Sequence, residues 1–125
     1  MLRLKKRAEF LTAAKGVRIP RRGFVLQAVR RKPEDPGPAR VGFTVTKKVG
    51  NAVVRNRIKR RLRELARLHG PNLMADGQDY VLIGRRAALH LDYDQLIADF
   101  RGAIGQAAKK QRGFNRKPGA RKVEN

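Results

Sequence analysis

Lys47-Lys48-Val49-Gly50-Asn51-Ala52-Val53-Val54-Arg55-Asn56-Arg57-Ile58-Lys59-Arg60-Arg61-Leu62-Arg63-Glu64-Leu65 carries the densest run of positive charge in the chain, and it carries a helical period as well. With Val54 as origin and about 100° per residue, Ile58, Leu62 and Leu65 share one narrow stripe, with Ala66 at its edge. That stripe needs a core. Asn56, Lys59, Arg60, Arg63 and Arg67 lie opposite it, and Arg55 and Arg61 flank it. The pattern predicts a helix over residues 52–68, ended by the Gly70-Pro71 pair. Asn51 is a good N-cap, and Gly50 lets backbone approach whatever docks there. Solvated helix faces usually mix signs to gain i,i+4 pairs, but Glu64 is the only acid between Lys47 and Arg67. Such a row repels itself unless an anion sits against it, which points to a nucleic-acid surface.

The whole chain shares this bias. Its 125 residues carry a net charge of +21, and 41% of them are hydrophobic. One modest core and a polyanionic partner follow. With no cysteine, disulfides and cysteine-ligated zinc are excluded, and a reducing cytoplasm fits. His69 and His90 form no ligand cluster. No apolar run approaches the roughly 20 residues that span a bilayer. Residues 1–15 are basic and amphipathic, but they include Glu9, lack serine and lead straight into strand-like sequence. They read as the first helix of the domain rather than as a transit peptide.

Residues 5–15 form that helix, with Phe10, Leu11 and Ala14 on one face and Gly16 as its terminator. Residues 23–31 and 40–46 alternate as strands, and their spacing suits an antiparallel hairpin across a proline-rich loop. The Gly42, Thr44 and Thr46 face of the second could meet a flat partner or water. Residues 79–85 are almost continuously apolar through Tyr80-Val81-Leu82-Ile83, which suggests a central strand, and Arg85 and Arg86 follow. Asp92 and Gln95 resemble a capping box ahead of a helix over 93–108. Residues 109–125 read as a basic, disordered tail with nonspecific attraction for RNA, leaving 1–108 as a single domain. An α+β sandwich results, with two or three strands before the basic helix.

Nothing here looks catalytic by itself. The ten acids are scattered, and Asp92 and Asp94 suit a helix N-terminus better than a magnesium site. Neither a Ser/His/Asp spacing nor a histidine pair is present.

Lys47, Lys48, Gly50, Ala52, Val53, Arg55, Asn56, Lys59, Arg60, Arg63 and Glu64, with Arg55-Asn56-Arg57 as an Arg-Asn-Arg element, form a long irregular string. It resembles the signature of the bacterial ribonuclease P protein subunit. The resemblance covers about residues 4–107. It implies an α-β-β-β-α-β-α sandwich, ribosomal S5 domain 2-like, with a left-handed βαβ crossover; patterning alone favours the right-handed one. It also implies a noncatalytic, cytoplasmic subunit of a bacterial endoribonuclease whose RNA subunit is the catalyst. That enzyme removes the 5′ leader of precursor tRNA, with magnesium held mainly by RNA and no covalent cofactor. The implied partners are the RNA subunit and precursor tRNA, with no membrane and no obligate protein partner.

By position, Lys47, Lys48, Asn51, Arg55, Asn56, Arg57, Lys59, Arg60 and Arg63 are implied to bind the RNA subunit. Phe10 matches an aromatic position of a leader cleft between the sheet and the first helix. Two further aromatic positions of that cleft fall on Ala14 and Gln27, a departure from the pattern, and Arg7 is the expected substitute contact. The chief rival is a ribosomal protein binding rRNA structurally, which composition cannot separate from this reading. A self-sufficient metal nuclease and a membrane-surface binder fit less well, the latter because the basic helix lacks a broad aromatic face.

Overall fold

The computed structural model describes residues 2–116. Three helices and a five-stranded sheet make a mixed α+β fold: β1 Leu2–Arg3, α1 Arg7–Ala13, β2 Val17–Pro20, β3 Phe24–Arg30, β4 Arg40–Thr44, α2 Ala52–His69, β5 Gln78–Gly84 and α3 Tyr93–Arg116. The strand order is β1-β4-β5-β3-β2. β5 runs parallel to β4 and antiparallel to β3, and β2 closes the sheet antiparallel to β3.

β5 is the central strand its unbroken apolar run predicts. Val81 and Leu82 are buried, and backbone groups on both its edges find partners. This overturns the expected hairpin, because β5 separates β3 from β4. A direct β3–β4 pairing would leave β5 at an edge with one row of backbone groups unpaired. Loop 31–39 makes the detour possible. It wraps the Arg31 guanidinium, which donates to the carbonyls of Asp35 (3.1 Å), Gly37 (3.0 Å), Pro38 (2.9 Å) and Gln78 (3.0 Å).

α2 follows the wheel. Ile58, Leu62, Leu65 and Ala66 are fully buried, and Val54 is half-buried. Asn51 caps the helix by accepting from the Val54 N–H at 3.0 Å. The helix lies so close to β5 that a Cβ on Gly84 would stand 2.5 Å from Ile58 Cγ2. Residues paired across β4, β5 and β3 point to the same side, so the sheet has two distinct faces. Val41, Leu82 and Leu26 join α2 and α3 in the main core, while Leu4, Ala13 and Val81 form a small second cluster under α1.

Three other expectations need correction. α1 is shorter than residues 5–15, because Glu9 Oε1 accepts from the Lys5 and Lys6 N–H groups (3.1 Å each) and holds those residues outside it. Gln95 donates to Asp99 Oδ1 at 3.2 Å instead of turning back to Asp92. α3 continues through Arg116, past the expected end at Ala108. The extension is anchored where Gln111 and Gln78 exchange reciprocal amide bonds of 2.8 and 2.9 Å in a buried site. The remaining tail, 117–125, lies outside the described residues.

Candidate RNA interface

The basic residues read from the sequence gather along α2 and the 3-10 turn before it. Lys47, Lys48, Asn51, Asn56, Arg57, Arg60 and Arg63 are exposed, and Arg55 and Lys59 are half-buried. Glu64 is spent on Arg67, which donates to it at 2.6 Å and holds its carboxyl below the usual range. No carboxylate lies within 4.0 Å of the other basic groups of this set among the described residues. Arg61 behaves differently. It donates to the Ala88 and Leu91 carbonyls (2.6 and 2.9 Å) and ties α2 to the segment before α3.

Arg60 and Arg63 line a groove of about 360 Å³ between α2 and the β1–β4 edge, with Val41 and Phe43 in its floor. Arg3 closes its far wall, its guanidinium 5.6 Å from the Phe43 ring centroid. The part played by Arg3 is not visible in the sequence, because β1 is only two residues long.

The residues expected to meet the leader lie on the other face. Arg7, Phe10 and Gln27 line one open groove of about 430 Å³, together with Lys5, Leu11, Phe43, Thr44 and Val81. Ala14 does not line it; Ala14 caps the C-terminal end of α1. The Phe10 ring sits on Gly42, where a Cβ would stand 2.6 Å from ring atoms. The Gly/Thr face of β4 is therefore the face that meets this groove, and glycine is required for the aromatic ring to lie against the strand.

α1 is held over this groove by a charge network. Asp79, with a side chain only 5% exposed, accepts from Arg31 Nη1 (2.8 Å), Arg40 Nε (2.8 Å) and Arg40 Nη2 (2.7 Å). Arg40 also donates to Glu9 at 3.2 Å. Burial pushes the Asp79 carboxyl up, but the two guanidinium groups outweigh it and hold the group below its ordinary value. The Lys6 backbone N–H leads in depressing Glu9. Glu9 and Asp79 thus have structural work the sequence does not reveal. Among the described residues, no group of three or more His, Cys, Asp or Glu side chains is placed to hold a metal ion. No described helix is long and apolar enough to cross a membrane.

A basic helix seated on a mixed sheet, with a second groove on the opposite face, defines an α+β RNA-binding domain. Comparison with known proteins makes this specific. The family model for ribonuclease P matches residues 1–108. The ribonuclease P protein component of Gluconacetobacter diazotrophicus is 52% identical over 106 residues, covering 84% of this chain and 90% of that protein. That of Brucella melitensis biotype 1 is 45% identical over 125 residues, covering 94% and 87%. The solved Staphylococcus aureus RNase P protein superposes with a TM-score of 0.68 at 32% identity, over 86% of this chain and 95% of that one. The Thermotoga maritima RNase P protein shares the fold, with a TM-score of 0.69 at 24% identity, over 85% and 97%. The chain belongs to the ribonuclease P protein family. It serves as a protein subunit of that tRNA-processing ribonucleoprotein, with an RNA subunit as partner, which settles the choice against a ribosomal protein.

Proposed function

We propose that this subunit is noncatalytic and assists an RNA catalyst in cutting the 5′ leader from precursor tRNA. The observation that carries the reading is the placement of two surfaces on opposite faces of one sheet. α2 presents an unneutralised basic row on one side, and the groove beneath Phe10 opens on the other. In this reading Lys47, Lys48, Asn51, Arg55, Asn56, Arg57, Lys59, Arg60 and Arg63 hold the RNA subunit. Arg7, Phe10 and Gln27 receive the leader, with Ala14 at the margin of that site.

The basic row offsets phosphate repulsion as two RNAs approach, which lowers the magnesium needed for cleavage. Contacts to phosphate and 2′-OH dominate, so recognition follows RNA shape more than sequence. Magnesium belongs mainly to the RNA, and the protein works in the bacterial cytoplasm without an obligate protein partner. The S5 domain 2-like class and the left-handed sense of the β4–α2–β5 crossover are carried with this reading on family resemblance.

The test is precursor tRNA cleavage at low magnesium and moderate salt, with protein alone, cognate RNA subunit alone, and both together. Cleavage only in the combined reaction is expected. Cleavage by protein alone would place a catalytic site in the chain, and no gain from added protein would remove the helper role.

A further inference from the structure

β1 buries neither of its residues: Leu2 and Arg3 are both exposed. Leu4, the next residue, is buried and anchors the segment. Leu2 and Arg3 extend the pairing past that anchor with no apolar gain of their own. Backbone bonds hold them, the Leu2 N–H donating to the Ala39 carbonyl and the Leu4 N–H to the Val41 carbonyl at 2.9 Å each. What the extension does is place a side chain. Arg3 stands in register with Val41, and its guanidinium lies over the Phe43 ring, 5.6 Å from the centroid. The register of β1 with β4 ends at Arg3 and Val41, so the edge of β4 is open at the half-buried Phe43.

The groove at this edge differs in kind from the exposed row on α2. Its floor, Val41 and Phe43, is apolar, and its volume of about 360 Å³ falls in the range of small-ligand sites. Arg60, Arg63 and Arg67 form a cationic wall, and Glu64 is the one carboxylate among the lining residues. A phosphate has no use for an apolar floor, and a hydrocarbon has none for four guanidinium groups. A nucleotide uses both, with its base flat against an aromatic ring or a guanidinium plane and its phosphate on the cations. Arg3 and Phe43 supply both kinds of plane in one place. No carboxylate lies within 4.0 Å of Arg3 among the described residues. Arg67 gives one bond to each Glu64 oxygen (3.3 and 2.6 Å), and each oxygen keeps a second lone pair for an exocyclic amine.

We propose that the Arg3–Phe43 pair at the β1–β4 edge, with Glu64 opposite, holds one unstacked nucleobase of the RNA subunit, a base that carries an exocyclic amine. The proposal rests on the reading of α2 as the RNA-subunit helix, because Arg60 and Arg63 wall the same groove. It adds a single base-reading contact to a surface that otherwise meets phosphate and 2′-OH.

The experiment measures equilibrium binding of the full chain to its cognate RNA subunit across a salt series, for the parent, Arg3→Lys, Arg3→Gln and Phe43→Leu. Arg3→Lys keeps the charge and loses the plane; Phe43→Leu keeps an apolar floor and loses the ring. Both should bind about five- to tenfold more weakly, with the slope of log affinity against log salt unchanged, as expected for a lost base stack. Probing the bound RNA with dimethyl sulfate and kethoxal should show one unpaired nucleotide protected by the parent and reactive with either variant. Making that nucleotide abasic should bring parent and variants to the same affinity. Parent-like affinity in both variants, or the same protection with all proteins, would overturn the proposal and leave the role of α2 intact. If Arg3→Lys binds like the parent while Arg3→Gln loses about 1 in slope, Arg3 meets a phosphate and the base is refuted. Arg3 lines this groove alone, whereas Phe43 also borders the groove beneath Phe10, so Arg3 decides the matter if Phe43→Leu fails to fold. A parent that does not bind the RNA subunit would instead sink the underlying reading.

Discussion

Asp79→Asn should cost the fold about 3 kcal/mol at neutral pH. The substitution removes the one charge shared by Arg31 and Arg40, whose donors reach it at 2.7–2.8 Å. An asparagine keeps one acceptor but turns an NH₂ group toward a guanidinium, donor against donor. Removing one partner of a buried ion pair costs about 3–5 kcal/mol. The lower end applies because Arg31 retains its carbonyl bonds and the Arg40 side chain is 22% exposed. Urea unfolding, followed by circular dichroism, should show the midpoint falling by roughly 1–3 M with an unchanged slope. Acid gives an independent reading. The Asp79 carboxyl is held below its ordinary value of 3.8, so its contribution is fully present above that pH and is lost as pH falls below it. The gap between parent and variant should therefore be wide at pH 7 and narrow steadily below about pH 4. Equal midpoints at neutral pH, or a gap that stays constant on acidification, would refute the account of this network.

Other consequences are as direct. Leu62→Ala empties a fully buried position under α2 and should destabilise by about 2–5 kcal/mol, seen as a lower melting temperature; an unchanged one would mean the helix is seated differently. Arg60→Ala and Arg63→Ala should each leave the melting temperature alone while weakening RNA-subunit binding and reducing its salt slope by about 1. Gly42→Val forces the Phe10 ring off β4 and should reduce discrimination between precursor tRNA with and without its leader by at least about fivefold, the loss of one base–aromatic stack. Affinity of that variant for the RNA subunit should be retained, and binding assays with the assembled ribonucleoprotein would separate the two effects.

The legible parts of the chain were those whose signal is local. The stripe of Ile58, Leu62 and Leu65 has the helical period, and Asn51 needs only Val54 three residues away to act as a cap. The apolar continuity of β5 announced a strand buried on both faces. Its neighbours were not legible, because adjacency in the chain favoured a β3–β4 hairpin and only the completed sheet shows β5 inserted between them. The same limit hid Arg3, which joins the α2 groove through a two-residue strand paired with β4. Gln111 looked like part of a polar tail, and its partner Gln78 lies 33 residues away.

Sequence alone determined the basic character, the amphipathic α2 with its cap, the three longest strands and the family, since each rests on residue identity or on spacing within a few turns. Tertiary structure decided the strand order, the burial of Asp79 between two arginines, the glycine floor under Phe10 and the meeting of Arg3 with Phe43 at the sheet edge. These depend on which distant segments pack side by side, a choice made by the pairing of backbone groups and the burial of apolar faces across the whole sheet.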